Sequence, residues 1–295
     1  MKVSFGSWAF TFGPYASHPI PFDEVAARLA SAGYDGVEVS GFPPHVTLEA
    51  YPDTESRVAL RRRLEDLNLG ISGYAADFTL VNPSVAGNKD RYLYLFAHAV
   101  DLCREIGSPS IRVDTGTAPG IIPDDETEDT LHRLAETWRA CAEFARTAGV
   151  AMDWEFEPAF AFNKPSEVVR LHDLVAHPNF RILFDTAHAY MCGFEGARQH
   201  GRGEKLEGGV AQFLDLCQGR IGHVHLADSD GTLLGDETSS HCSFGEGKIP
   251  FFKVAPKLRA VKSAWWCVDL CFHPKSWDQI DPALKFVRSL SRASA

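Results

Sequence analysis

The segment RTAGVAMDWEFE, residues 146–157, decides the fold because it joins the end of a helix to a buried strand. Gly149 follows a helical pattern and has the position of a left-handed helix C-cap. The alternation after it places Asp153, Glu155 and Glu157 on one face of the strand and apolar side chains on the other. The same order of helix, glycine and strand recurs in SAGYDGVEVS and REIGSPSIRVD. We therefore expect parallel strands joined by helices.

Eight such units fill the chain. The predicted strands are 2–8, 36–40, 70–75, 110–114, 150–157, 180–185, 221–228 and 264–270, and the predicted helices are 22–32, 54–67, 89–106, 126–148, 166–176, 204–218, 250–260 and 278–291. Eight strands that alternate with eight helices, without an internal linker, predict an α/β protein whose single domain, residues 1–295, is a (β/α)8 TIM barrel. The loops that follow the strands of such a barrel build its active site.

The composition favours a cytoplasmic protein that binds neither nucleic acid nor membranes. The formal net charge is −10, whereas nucleic-acid binding depends on clustered Lys and Arg. No apolar run approaches the ~18 residues of a membrane span, and the N-terminus has the pattern of a strand rather than of a signal peptide. Seven cysteines without a CxxC pair predict reduced, buried thiols. A homo-oligomer is compatible with this composition.

The three carboxylates of the fifth strand need a neutralising partner if all of them point into the barrel. Like charges in a poorly solvated interior are costly unless a proton, a cationic side chain or a metal ion balances them. Glu155 is the member that we expect to be functional. Glu157 and Asp153 can instead meet solvent or an arginine.

Three further strand ends carry residues of the same kind. RILFDTAHAY, residues 181–190, ends an apolar run on Asp185 and offers His188 three residues later. GHVHLADSD supplies His225, and WWCVDLCFHP supplies Asp269. With Glu155 these residues leave four consecutive strands, and three carboxylates with one imidazole suit a single divalent ion. Mn²⁺ is the expected ion, and Mg²⁺, Co²⁺ and Zn²⁺ are alternatives.

Other polar or aromatic residues near strand ends are weaker candidates. Arg112 can hold a substrate oxygen or pair with Glu157 or Asp114. Trp8 can form an apolar wall for the C–H face of a sugar or pack in the core. His241 can reach the substrate or belong to a solvated loop.

Four motifs together resemble the xylose isomerase-like TIM barrel family, the sugar phosphate isomerases and epimerases, over about residues 3–290. The motifs are GVAMDWEFEP, ILFDTAHAY, HVHLADSDG and GEGKIPFFKVAPKL. The family includes ketose 3-epimerases, inosose dehydratase and endonuclease IV-type nucleases. The resemblance implies that the metal ligands are Glu155, Asp185, His225 and Asp269, and that His188 lies near the substrate.

Two departures from the family pattern matter. The chain has Asp269 where the family usually has glutamate, so that the carboxylate lies about 1.5 Å, one carbon–carbon bond, farther back. Ligation by Asp269 is still expected, whereas its part in proton transfer is left open. The nuclease branch carries extra histidines on earlier strands that GISGYAAD and SIRVD lack, which disfavours a nuclease.

The resulting expectation is a metal-dependent sugar isomerase or epimerase of carbohydrate metabolism, whose substrate is a ketose or another small sugar- or polyol-derived carbonyl compound. Glu155 would remove a proton beside the carbonyl to form an enediolate, and Asp269 would return it.

The alternatives are a metal-dependent lyase of the same family, either an inosose-type dehydratase or a C-glycoside-cleaving subunit, and a non-catalytic barrel subunit. Wide aromatic loops at 41–53 and 190–203 would favour an aglycone or a partner surface. The expected substrate-binding residues are His188, Glu157, Arg112, Trp8 and His241.

Overall fold

The computed structural model describes residues 1–292 and contains a closed barrel of eight parallel strands. Each strand pairs with the next one in the chain, and the last strand pairs with the first. In this last pair, Lys2 lies opposite Trp265 and Phe5 lies opposite Val268. The strands are β1 (Lys2–Gly6), β2 (Gly36–Ser40), β3 (Gly70–Ala75), β4 (Ser110–Val113), β5 (Ala151–Glu155), β6 (Phe180–Asp185), β7 (Ile221–Leu226) and β8 (Trp265–Val268). The predicted (β/α)8 TIM barrel is confirmed.

Each barrel strand is followed by a helix that packs on the outside of the barrel. The helices are α1 (Phe22–Ala32), α2 (Thr54–Asp66), α3 (Lys89–Ile106), α4 (Thr127–Thr147), α5 (Pro165–Val175), α6 (Gly209–Leu216), α7 (Phe251–Ala260) and α8 (Ile280–Arg292). Between β6 and α6 the chain forms a short α-helix, Thr186–Ala189, and a π-helix, Tyr190–Glu195. Between β7 and α7 it forms a small hairpin, in which Leu233–Leu234 pairs with Thr238–Ser239.

Local signals end most helices close to where the sequence predicts them, whereas α6 begins at Gly209 rather than at the predicted residue 204. Asp53 caps α2, because its Oδ1 accepts the N–H of Ser56 at 2.8 Å. Gly149 adopts a φ of 73°, which lets the chain turn from α4 into β5. The apolar faces of helices and strands meet in the core, as where Trp138 packs on Trp154 and Phe180. Within residues 1–292, no helix is both long and apolar enough to cross a bilayer.

Several predicted strands end earlier than the sequence suggests. β1 stops at Gly6 because Ser7–Phe10 forms a 3-10 helix, so that Trp8 lies after the strand rather than on it. Asp228 and Asp269 likewise follow β7 and β8 instead of extending them. Both carboxylates instead hold the loops that follow, since Asp228 accepts the N–H of Gly245 and Asp269 accepts the N–H of Cys271.

Asp153 on β5 has a structural partner. Its two carboxylate oxygens accept the Nε–H and an Nη–H of Arg181 on β6, both at 2.8 Å. Asp153 is 1% exposed, so that this bidentate pair supplies the neutralising charge that a buried acid requires. The pairing with an arginine is one of the two outcomes that the sequence left open for Asp153.

Candidate metal and substrate site

Four side chains from the carboxyl ends of β5 to β8 converge at one end of the barrel. One potential ligand atom from each of Glu155, Asp185, His225 and Asp269 lies within 4.8 Å of the other three, and all four residues are buried. Glu155 Oε1 lies 3.0 Å from His225 Nδ1, and Asp269 Oδ2 lies 3.5 Å from the same nitrogen. Neighbouring oxygen ligands of an octahedral ion at about 2.1 Å are about 3 Å apart. The spacing therefore fits a divalent ion.

In Asp185 and Asp269, one carboxylate oxygen accepts hydrogen bonds from the protein, and the other is left to bind a metal ion. Asp185 Oδ1 accepts the N–H of His188 at 2.7 Å, whereas its buried Oδ2 has no hydrogen-bond partner among the described residues. Asp269 Oδ1 accepts the Nε1–H of Trp8 at 2.9 Å and the N–H of Cys271 at 2.8 Å. An unpartnered buried carboxylate oxygen is costly, and a cation among these four donors would remove that cost.

Glu38 on β2 is a part of the site that sequence reasoning missed. Its two oxygens lie 3.1 Å from His225 Nε2, and Oε2 lies 2.6 Å from His223 Nε2. A carboxylate on one ring nitrogen fixes the tautomer and turns the other nitrogen toward a metal. The signal was present in GVEVS, because period two places this charged residue between the outward Val37 and Val39.

Burial and neighbouring charges give the donors different pKa values. Burial, with the charges of Asp269 and Glu155, raises the pKa of Asp185 to about 7. Burial opposes ionisation of Glu155 too, yet Arg112 and His225 outweigh it and lower the pKa of Glu155 to about 2. Burial would lower the pKa of His225, but Glu38 and Glu155 hold that pKa well above its usual range. Metal binding would therefore release protons from Asp185 and His225.

Arg112 joins the acids of β5 to the cavity. Its guanidinium contacts Glu155 and lies 3.1 Å from Asp114 and 3.4 Å from Glu157. The ion pairs expected as one alternative are thus formed. Burial raises the pKa of Glu157 to about 7 despite Arg112, and Thr238 Oγ1 donates to Glu157 Oε2 at 2.5 Å. Glu157 can therefore gain or lose a proton near neutral pH.

Two histidines lie beside the four donors. His188 Nδ1 lies 2.9 Å from Ser239 Oγ, and burial lowers the pKa of His188 to about 3, so that the ring is neutral. His241 is 8% exposed, and its Nδ1 lies 3.4 Å from Asp269 Oδ1. Although burial opposes protonation, Asp269 raises the pKa of His241 to about 9. The buried position contradicts the solvated-loop alternative for His241.

A cavity of about 390 Å³ opens above these groups. Its polar lining includes Arg112, Glu157, His188 and His241. Six aromatic side chains also line the cavity: Trp8, Phe12, Phe42, Phe78, Phe160 and Phe272. Of the two loops that the sequence singled out, 41–53 contributes Phe42, whereas no residue of 190–203 lines this cavity. The first part of the second loop, 190–195, forms a largely buried π-helix instead.

The family assignment comes from a match over most of the chain. The family described as xylose isomerase-like TIM barrel matches residues 26–290. The chain belongs to the xylose isomerase-like TIM barrel family.

Three proteins that this chain resembles share low sequence identity with it. L-ribulose 3-epimerase from Methylomonas sp. (strain DH-1) is 23% identical over 222 residues, which cover 74% of this chain and 70% of the relative. The crystal structure of D-psicose 3-epimerase in the presence of D-fructose has a TM-score of 0.74 at 16% identity and covers 98% of this chain and 99% of the other. A probable 3-DHS dehydratase from Bacillus anthracis has the same TM-score, identity and coverage. At such identities the structural likeness shows the fold alone.

In this xylose isomerase-like barrel, Asp228 organises the loop that carries His241. Its carboxylate accepts the N–H groups of Ser229, Gly245 and Gly247 at 2.9 to 3.1 Å. A Cβ on Gly247 would lie 2.2 Å from Asp228 Oδ1, so that only glycine allows this approach. The HVHLADSDG and GEGKIP motifs are thus two ends of one structural unit.

Proposed function

We propose that the protein is a divalent-metal-dependent sugar isomerase or epimerase that acts on a ketose or a related polyhydroxy carbonyl compound. The observation that carries the proposal is the convergence of four buried donors, two of which, Glu155 and Asp269, line the cavity, together with the unpartnered Oδ2 of Asp185. The relative named L-ribulose 3-epimerase supports the reaction class.

The ion would be held by Glu155, Asp185, His225 and Asp269, and Glu38 would orient His225. When bound, Mn²⁺ or a similar cation would polarise the substrate carbonyl and stabilise the negative charge of the enediolate. Mn²⁺ is the proposed ion because three carboxylates and one imidazole form an oxygen-rich set.

The side chains of this chain would move the proton. Glu155 is ionised at neutral pH, as its pKa of about 2 indicates, and it is the proposed base for the carbon beside the carbonyl. Asp269, three strands away around the barrel, also stays ionised, because His241 and His225 outweigh burial and lower its pKa. It is the proposed group that passes a proton to the enediolate, after it accepts one from cationic His241, whose Nδ1 lies 3.4 Å from Asp269 Oδ1. Glu157, with a pKa of about 7, can pass the proton that Glu155 has taken up on to solvent, from which His241 is protonated again.

The remaining polar groups of the cavity would position the substrate. Neutral His188 can hydrogen-bond a substrate oxygen, and the Arg112 guanidinium can hold a second oxygen while it stays paired with Glu157. His241 is cationic at neutral pH and can donate to an oxygen near Asp269. The indole of Trp8 lines the cavity while its N–H fixes Asp269.

The test is proton exchange in D₂O. The Mn²⁺-loaded protein is incubated with a panel of ketoses and inososes, and NMR detects deuterium at the carbon beside the carbonyl. We expect exchange with at least one member of the panel and a loss of about 10²- to 10⁴-fold in Glu155→Gln, the magnitude typical of general acid–base catalysis. Glu136→Gln, on the exposed face of α4, is the matched control.

The product distinguishes the remaining alternatives. A C3 epimer identifies an epimerase, an aldose identifies an isomerase, and an unsaturated product identifies a lyase. If no compound exchanges and Glu155→Gln behaves like the wild type, the enediolate proposal is wrong.

A further inference from the structure

The mouth of the cavity is divided by the order of the strands. The loops after β8, β1, β2 and β3, which are neighbours in the barrel, supply the aromatic half, defined as Phe272, Phe12, Phe42 and Phe78. The loops after β4 to β7 supply most of the charged groups. A fifth phenylalanine, Phe160, follows β5.

Three rings of the aromatic half, those of Phe12, Phe42 and Phe272, form a continuous wall. Phe12 stacks on Phe272 at a centroid distance of 5.7 Å and meets Phe42 edge to face at 5.3 Å. All three side chains remain partly exposed to the cavity mouth. Phe272 has a φ of 60°, a left-handed conformation that is rare for a bulky residue. Strain of this kind persists where the surrounding structure requires it, often at ligand contacts.

The aromatic half offers a substrate almost no free hydrogen-bonding capacity. Its two polar neighbours in the lining, Thr79 and Asn82, are already engaged. Thr79 Oγ1 donates to Asp77, and the Asn82 amide donates to Gly116 O and Thr117 Oγ1. A substrate hydroxyl buried against this wall would lose water without gaining a partner.

A bare ketose carries hydroxyls on most of its carbons and therefore suits only the polar half. Its C–H face needs one aromatic surface, which Trp8 provides beside Asp269. The joined rings of Phe12, Phe42 and Phe272 offer a larger aromatic surface than a bare ketose needs. No lining residue contributed by the loops after β8, β1, β2 and β3 is charged, Asp269 excepted, so that a charged substituent would find no partner there.

We propose that the substrate is a polyhydroxy carbonyl compound that carries a neutral aromatic substituent, and that this substituent stacks on Phe12, Phe42 and Phe272. The proposal rests on the proposed function, because the metal site orients the carbonyl end of the substrate toward the base of the cavity. It assigns the aromatic half to substrate selection rather than to chemistry.

The test compares two ketoses that share their carbonyl end, 6-O-benzyl-D-fructose and 6-O-methyl-D-fructose. Calorimetry with the Mn²⁺-loaded protein gives the Kd of each, and deuterium exchange gives kcat/KM. We expect the benzyl ether to bind at least about tenfold more tightly. Offset and edge-to-face ring pairs contribute binding free energy in addition to that of burying the apolar surface. Phe42→Ala and Phe272→Ala should bring the ratio close to one while the Kd for Mn²⁺ stays unchanged. Phe252→Ala, an exposed phenylalanine on α7, is the control.

The outcomes separate this inference from the proposed function. If ketoses exchange but the two ethers bind alike, or if neither ether binds, the inference is wrong and the proposed function stands. If nothing exchanges but the benzyl ether binds tightly through Phe42 and Phe272, the proposed function is wrong and the inference stands. A dimer that dissociates in Phe42→Ala during sedimentation would assign the rings to a subunit interface and overturn the inference.

Discussion

The two halves of the cavity mouth are built from different kinds of interaction. In the polar half, buried charges pair with charges from other strands, as His225 does with Glu38 and Glu155 does with Arg112. In the aromatic half, Phe12 forms ring pairs with both Phe42 and Phe272. A substitution in the polar half should therefore change metal binding and chemistry, whereas one in the aromatic half should change selectivity.

The largest effect should come from Asp185→Asn. The variant keeps a side-chain oxygen that can accept the N–H of His188 but loses the negative charge that a cation would meet. In the wild type, Mn²⁺ at 100 times its Kd should raise the apparent free energy of unfolding by about 2.7 kcal/mol. This increase should disappear in Asp185→Asn and persist in Phe272→Leu. Urea unfolding with and without Mn²⁺ measures this increase. An equal increase in both variants would contradict the assignment of metal binding to the polar half.

A smaller effect on the metal should come from Glu38→Gln. The amide cannot hold the His225 ring as a carboxylate does, and changes in such supporting groups lower metal affinity by about 10- to 100-fold. Titration calorimetry with Mn²⁺ gives the affinity. Unchanged affinity would show that Glu38 supports the barrel without tuning the site.

Asp153→Asn should separate stability from function within the polar residues of β5. The variant breaks the bidentate pair with Arg181, whose side chain is 35% exposed. We expect a loss of about 1 to 3 kcal/mol in the free energy of unfolding, less than for a fully buried pair because solvent screens the arginine. Mn²⁺ affinity should be retained. A parallel loss of metal binding would place Asp153 in the site.

Glu157 should make stability depend on pH in the metal-free protein. Because burial raises its pKa to about 7, the folded chain retains a proton that the unfolded chain releases above about pH 4. The contribution of Glu157 to the free energy of unfolding should therefore fall as pH rises from about 4 to 7 and stay level above 7. The free energy of unfolding of the wild type minus that of Glu157→Gln, measured in urea at pH 5, 6, 7 and 8, isolates this contribution and should fall between pH 5 and 7. A rise of this value with pH would contradict the prediction.

The smallest effect should come from Phe12→Leu in the aromatic half. The variant keeps an apolar side chain and loses the two ring pairs, which should lower the free energy of unfolding by about 0.5 to 1.5 kcal/mol. Mn²⁺ affinity and deuterium exchange of a bare ketose should stay unchanged. A fall in metal affinity would mean that the two halves are coupled.

Local patterns in the sequence were sufficient for the fold. The predicted bounds of β2, β3 and β6, and those of α1 and α3, match the structure, because apolar periodicity and glycine positions act over a few residues. The convergence of Glu155, Asp185, His225 and Asp269 was also predictable, since parallel strands bring their carboxyl ends to one rim.

Contacts between distant segments were harder to predict. Glu38 stands 187 positions from His225, and only the inward face of β2 hinted at its part. The pair of Asp153 with Arg181 depends on the register of β5 and β6. The wall of Phe12, Phe42 and Phe272 depends on loop conformations, which periodicity does not encode.

The central claim is that one divalent cation binds among the donors of β5 to β8. Anomalous scattering from a crystal soaked in Mn²⁺ tests it most directly. The account predicts one strong anomalous peak within coordination distance of Glu155, Asp185, His225 and Asp269. A map without a peak among these residues, or with the ion bound elsewhere, would contradict it.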